Sequence, residues 1–166
     1  MSPTGRPAPT PGSERLIGVI SDTHGLLRPE AVAALAGCDL IVHAGDVGSP
    51  AVLAGLRRVA PVLAVRGNVD IESWARDLPE TEVARVGDVS VYVLHDLARL
   101  DLDPAAAGFA AVVSGHSHVP ALEERGRVLY LNPGSAGPRR FSLPVSLARL
   151  RVGDGAVAAE LVTLEP

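Results

Sequence analysis

The chain contains no lysine, a single cysteine and few aromatic residues. With only Cys38, no intrachain disulfide can form, and a cysteine-rich structural zinc site is excluded. Cys38 itself reads as a small buried apolar residue rather than a nucleophile. All basic residues are arginine, a matter of composition rather than of a site, and none of them forms a basic stripe. With a net charge of -4, stable nucleic-acid binding through general electrostatics is not expected. No apolar run is long enough to form a bilayer-spanning helix, so no membrane association is expected. Residues 1–14 lack a hydrophobic segment and are rich in Pro, Gly, Ser and Thr. They read as a flexible tail and not as a secretory signal, and the expected location is cytoplasmic.

What is present is a hydrophobic fraction of 47%, enough for a packed core in a chain of 166 residues. One domain is expected over 15–166. Apolar strand-like runs at 16–20, 40–42 and 62–65 alternate with helix-forming stretches at 28–36 and 50–57. Ser49 is placed to cap the second helix and Pro50 to occupy its first position. Strand–helix–strand order implies right-handed crossovers and a parallel sheet. The second half is richer in strands. Hairpins are expected at 83–94 around Gly87-Asp88, at 121–131 around Arg125-Gly126-Arg127, and at 145–164 around Gly153-Asp154-Gly155. A strand is expected at 110–113, and a short helix after Pro104. Two stacked sheets with helices outside would bury both sets of strands.

The chemistry is concentrated where the apolar runs end. Five runs lead into Asp22-Thr23-His24, His43-Ala44-Gly45-Asp46, Gly67-Asn68, His95, and Gly115-His116-Ser117-His118. Ligands of open α/β sheets bind beyond the carboxyl ends of strands, so these residues can converge at one edge. The glycines before Asp46, Asn68 and His116 let the chain turn sharply and present the next side chain. In a strand-like segment His116 and His118 would face the same side. Carboxylates, imidazoles and an amide without thiolate suit Mn, Fe, Zn, Co or Ni. The donors are too many for one metal and about enough for two sharing a carboxylate. Two metals roughly 3.5–4 Å apart can activate a water and clamp the oxygens of a phosphoryl group.

In order and type, Asp22-x-His24, Gly45-Asp46, Gly67-Asn68, His95 and Gly115-His116-x-His118 resemble the calcineurin-like metallophosphoesterase superfamily. The short chain and Asn132-Pro133-Gly134-Ser135 resemble its small bacterial and archaeal phosphodiesterase branch. The resemblance implies a four-layer α/β/β/α sandwich of two stacked mixed sheets with flanking helices. It implies that Asp22, His24 and His118 hold one divalent metal, that Asn68, His95 and His116 hold the other, and that Asp46 bridges them. It also implies phosphodiester hydrolysis by a metal-bridging hydroxide, with Asp46 and Asn68 as the catalytic residues. Two divalent transition ions are expected, Mn²⁺ first, with Fe, Zn, Co or Ni as alternatives. The expected substrate is a small or nucleotide-like phosphodiester. His43 fits no ligand position and is assigned, with Asp70, to support of the ligands.

Two positions depart from the family pattern. Val69 stands where a histidine or cysteine is common and a leaving-group proton donor is expected. Asp96 follows His95 where glycine is frequent. Val69 keeps open a second reading, a non-catalytic scaffold of the same fold acting through protein contacts. Plainer roles also exist for the ligands: Asp22 as a helix cap, and Asp46 and Asn68 as turn residues. A serine-hydrolase reading of Ser117 fails because no histidine follows His118 to complete the usual order. Oligomeric state is left open by the sequence, with the resemblance and Trp74 on a surface segment compatible with a homo-oligomer.

Overall fold

The computed structural model describes residues 14–165. The tail read from composition at 1–14 lies outside the described residues except for Glu14. Ten strands form two five-stranded mixed sheets.

In the first sheet, β1 (Arg15–Ile20), β2 (Leu40–His43) and β3 (Val62–Ala64) run parallel. They are joined through α1 (Pro29–Ala34) and α2 (Pro50–Arg57). Ser49 caps α2, its hydroxyl accepting the Ala51 N–H at 3.2 Å, with Pro50 in the first turn as expected. The second sheet contains β4 (Thr81–Val86), β5 (Val89–Leu94), β6 (Ala111–Val113), β7 (Ala121–Arg125) and β8 (Val128–Asn132). Its spatial order is β4-β5-β6-β8-β7, with β5, β6 and β8 parallel. The last hairpin, β9 (Ser146–Gly153) and β10 (Ala156–Thr163), returns to the first sheet, where β9 lies antiparallel against β1. Its turn uses left-handed Asp154 and Gly155, which matches the twist of the flanking strands.

Three apolar clusters fill the three spaces between four layers. Val19, Val42, Val93 and Val113 lie in the cluster shared by the facing sheets. Leu35, Ile41, Leu53 and Leu56 pack the helices on the first sheet. Tyr92, Leu94 and Val112 meet Leu97, Leu100 and Phe109 on the outer face of the second. This outer layer is thin, built from a 3₁₀ helix at Leu97–Arg99 and a single turn after Pro104. The helix expected after Pro104 does not develop. Asp103 caps the turn through the N–H groups of Ala105 and Ala106, and Gly108 ends it in a left-handed conformation.

Trp74 lies on a surface segment, as expected, but is itself half-buried. It lies in a 3₁₀ helix, Ser73–Ala75, partly buried against the helix side of the first sheet, so it gives no support to a homo-oligomer. Cys38 is buried, as read. No helix among the described residues is long and apolar enough to cross a membrane.

Candidate metal centre

The loops after β1, β2, β3, β5 and β6 converge, and two groups of donors emerge. Asp22, His24 and His118 form one, and Asp46, His95 and His116 the other. Asn68 joins the second, its Oδ1 lying 3.0 Å from His95 Nε2. All seven sequence-predicted ligands are therefore brought together. Asp46 Oδ2 reaches both groups, lying 3.2 Å from His95 Nε2 and 3.7 Å from His24 Nε2.

The backbone is strained where the ligands lie. Asp22, His24, Asp46, His116 and His118 all have positive φ, between 46° and 71°. Among the described non-glycine residues, only Phe141 and Asp154 share this conformation. Asp and His are enriched in it, but each instance costs about 1–3 kcal/mol and persists only where surrounding contacts enforce it. This changes the sequence-based account. At Gly67 and Gly115 the turn is made by neighbours, and the glycines are needed for close approach. A Cβ on Gly67 would fall on the Asp46 backbone and carboxylate, and one on Gly115 on Ser21 Oγ and Asp22 Oδ2. Gly45 does use its freedom, at φ 103°. Nor do His116 and His118 sit on one face of a strand. They lie beyond the end of β6 in a turn closed by Ser117 N–H to the Gly115 carbonyl, and they serve different groups. Gly115→Ala is expected to displace the Asp22 carboxylate and destabilise the fold by about 1–3 kcal/mol. Metal content and thermal melting would check this, and unchanged metal content would refute it.

The helix-cap role of Asp22 does not hold. The cap position of α1 is Arg28, and no side chain caps that helix. Asn68 does lie in a turn, closed by the Asp70 N–H on the Gly67 carbonyl at 3.2 Å, and the Asp70 carboxylate supports it, accepting N–H bonds from Val47, Gly48 and Gly67 at 2.9–3.1 Å. The carboxylate thereby ties the Asp46 loop to the Asn68 loop.

His43 is fully buried and acts through the backbone. Its Nδ1 accepts the Gly45 N–H at 3.1 Å, so Nε2 carries the proton and donates to Thr23 Oγ1 at 3.0 Å. Thr23 in turn donates to the Val47 carbonyl at 2.8 Å. This chain couples the Asp22–His24 loop to the Asp46 loop. Burial first, then the neighbouring His95, pushes the His43 pKa down to about 3, so the ring remains neutral.

Several positioning residues were not predicted. Ser21 Oγ donates to Asp22 Oδ2 at 2.7 Å, and the His116 N–H adds a bond at 3.1 Å. Ser135 Oγ donates to the Asp22 carbonyl. The Asn132 amide donates to the Gly115 carbonyl and Ser117 Oγ, holding the turn that carries both late histidines. Asn132-Pro133-Gly134 was legible as a turn, but its partners lie more than ten residues away in sequence.

The donor atoms fit cations. With one Asp22 oxygen satisfied, Oδ1 is buried without a hydrogen-bond partner and lies 3.4–3.9 Å from Nε2 of His118, His24 and His95. The Nε2 atoms of His24 and His118 are 3.4 Å apart. His95 donates from Nδ1 to the Ala44 carbonyl at 2.8 Å, which turns Nε2 towards the acceptors of Asp46 and Asn68. Lone pairs aimed at one another need positive charge between them. The protein groups alone register that demand. Burial disfavours charge on His95, yet hydrogen bonding and attraction from Asp46, with attraction from Asp22, raise its pKa overall. Burial likewise pushes Asp46 up, but the His95 bond and the Val69 N–H hold it below the usual carboxylate range. Asp22 is raised, chiefly by burial, and His118 is lowered by the same cause.

Residues 16–155 match the model of the calcineurin-like phosphoesterase superfamily domain. The chain belongs to this superfamily. A probable metallophosphoesterase of Methanothermobacter thermautotrophicus is 40% identical over 158 residues, covering 89% of this chain and 91% of that one. Among solved structures, an archaeal phosphodiesterase superposes with a TM-score of 0.73 at 22% identity, covering 89% of this chain and 99% of that one. Vps29 of Chaetomium thermophilum does so with a TM-score of 0.72 at 22% identity, covering 92% and 100%. Both likenesses are of fold. The α/β sandwich is that of the calcineurin-like phosphoesterases, and this metallophosphoesterase-family hydrolase carries two groups of metal-binding residues at its strand ends.

Proposed function

We propose that the chain, as a single domain over 15–166, is a dinuclear metal-dependent phosphodiesterase that hydrolyses small or nucleotide-like phosphate esters. The observation that supports this most is the shared carboxylate. Asp46 Oδ2 lies within 3.7 Å of an imidazole from each donor group. Asp22, His24 and His118 would hold one divalent ion, and Asn68, His95 and His116 the other, with Asp46 common to both. Such ions would supply charge to the phosphoryl oxygens and acidify a water shared between them.

The protein's own groups orient and neutralise. Asn68 turns Oδ1 to the donor cluster, which leaves its NH₂ to donate to a phosphoryl oxygen as negative charge builds there. Asp46 is fixed through the Val69 N–H at 3.0 Å, and Asp22 through Ser21 and the His116 N–H. These bonds hold the donors in place before substrate arrives, which lowers the reorganisation needed during reaction. No proton donor stands at Val69, so departure of the ester oxygen relies on the acidity of the leaving group or on water.

The alternative is a scaffold of the same fold, as the likeness to Vps29 brings to mind. The full complement of seven donors favours catalysis. The deciding experiment measures bound metal in the purified protein and hydrolysis of bis(p-nitrophenyl) phosphate. Chelation is expected to abolish activity and Mn²⁺ to restore it. Tight folding with neither bound metal nor activity in any divalent ion would leave the scaffold reading.

A further inference from the structure

Beside the donor groups lies a cavity of about 830 Å³, a size suited to a small molecule. It opens from one side of the centre only. Asn68, His95 and His116 line it, whereas Asp22, His24 and His118 do not. A phosphoryl group seated between the two donor groups therefore has room for one ester arm in this direction.

The remaining wall describes that arm. Its charged lining is Arg66 and Arg99 with Glu80, Asp96 and Asp101, set beside the apolar Ile71 and Leu94. The carboxylates outnumber the guanidiniums, which disfavours a second phosphate on the arm. The two arginines disfavour an ammonium group. A hydroxyl suits both kinds of wall, since it donates to a carboxylate and accepts from a guanidinium. These groups retain capacity for a ligand. Asp96 uses Oδ1 to accept the Ala98 N–H, which leaves Oδ2 free. Arg66 and Glu80 form only a loose pair at 3.6 Å, with Glu80 73% exposed. Arg99 and Asp101 form no ion pair among the described residues.

We propose that this cavity binds a neutral, hydroxyl-rich arm of the substrate, a sugar, with Asp96 and Asp101 accepting from its hydroxyls and Arg99 donating to them. The inference rests on the phosphodiesterase reading and names the substrate class for it.

The test uses the full chain loaded with Mn²⁺ and three p-nitrophenyl diesters. Their second arms are uridine 5′-linked, ethyl and choline. With a common leaving group, differences report the arm. The uridine ester is expected to show a KM about tenfold or more below that of the ethyl ester, and choline no advantage. A hydrogen bond to a charged group is worth about tenfold or more, so Asp101→Asn and Arg99→Ala should each shrink the uridine-to-ethyl ratio of kcat/KM by about that factor. Melting temperature and metal content serve as checks on folding. An unchanged ratio in both variants, or a preference for choline, overturns the proposal. Failure to hydrolyse any of the three would instead remove the phosphodiesterase reading. Calorimetry would then judge the cavity: tighter binding of uridine 5′-phosphate than of ethyl phosphate supports it, and equal affinity overturns it.

Discussion

Asp46→Asn is expected to reduce kcat/KM on an aryl phosphodiester by about 10³-fold or more and to lower bound metal from two ions to one or none. The substitution keeps the shape of the side chain and removes its charge. Asp46 makes the closest carboxylate approach to the second group, its Oδ2 lying 3.2 Å from His95 Nε2, and also reaches His24 of the first at 3.7 Å, whereas Asp22 comes no nearer to His95 than 3.9 Å. Its other oxygen accepts the Val69 N–H and so positions the loop that presents Asn68. An amide would place either an NH₂ against the histidines or a donor against the Val69 N–H, and each arrangement loses a contact. Asp22→Asn provides the contrast, because its contacts centre on the first group, and it should leave one ion bound. Elemental analysis with steady-state kinetics would measure both. Two ions and activity within tenfold of the parent would refute the shared role of Asp46.

Val69→His is the second expectation. The side chain of Val69 is 42% exposed beside Asn68, and its backbone N–H is already committed to Asp46. A new imidazole there therefore leaves that bond in place and, on the phosphodiesterase reading, adds a titratable donor beside the substrate. General acid catalysis contributes about 10²–10⁴-fold when the leaving group is poor. The variant should accelerate alkyl diesters by about 10²-fold and change nitrophenyl diesters by less than threefold. The parent should show a steep dependence of rate on leaving-group pKa, and the variant a shallower one with a new alkaline limb in its pH profile, where the rate falls as the imidazole loses the proton it must donate. Equal effects on both ester classes would show that the histidine acts by some route other than proton donation.

Much of the architecture was legible because its signals are local. The apolar runs at 16–20 and 40–42, the Ser49-Pro50 helix start and the Gly153-Asp154-Gly155 turn each specify their own conformation, and they appear as read. The candidate donors were legible because each follows a strand in a family-like order, and they converge in the structure. Other features depend on contacts distant in sequence. Nothing in the β9–β10 hairpin says which sheet it joins; in the structure β9 takes the side of β1 that β2 leaves open. Gly115 looked like a residue chosen for flexibility, yet it is required because Ser21, ninety-four residues earlier, packs against it. The buried Ser21 and the distant partners of Asn132 carry no sequence signature beyond small polar residues near a motif.

The placement of β9 also bears on how the polypeptide is made. Every donor residue lies between 22 and 118, while the neighbour that closes β1 begins at Ser146. A nascent chain that has emerged only as far as residue 145 already holds all seven donors but has the Gly18–Val19 edge of its first strand open. Ala148 and Leu150, which fill the space between the sheets, have yet to arrive. Ions taken up at that stage would bind a half-built clasp, and the exposed edge would offer itself to neighbouring nascent chains. The β9–β10 segment is thus the part of the chain that covers the open edge of the first strand.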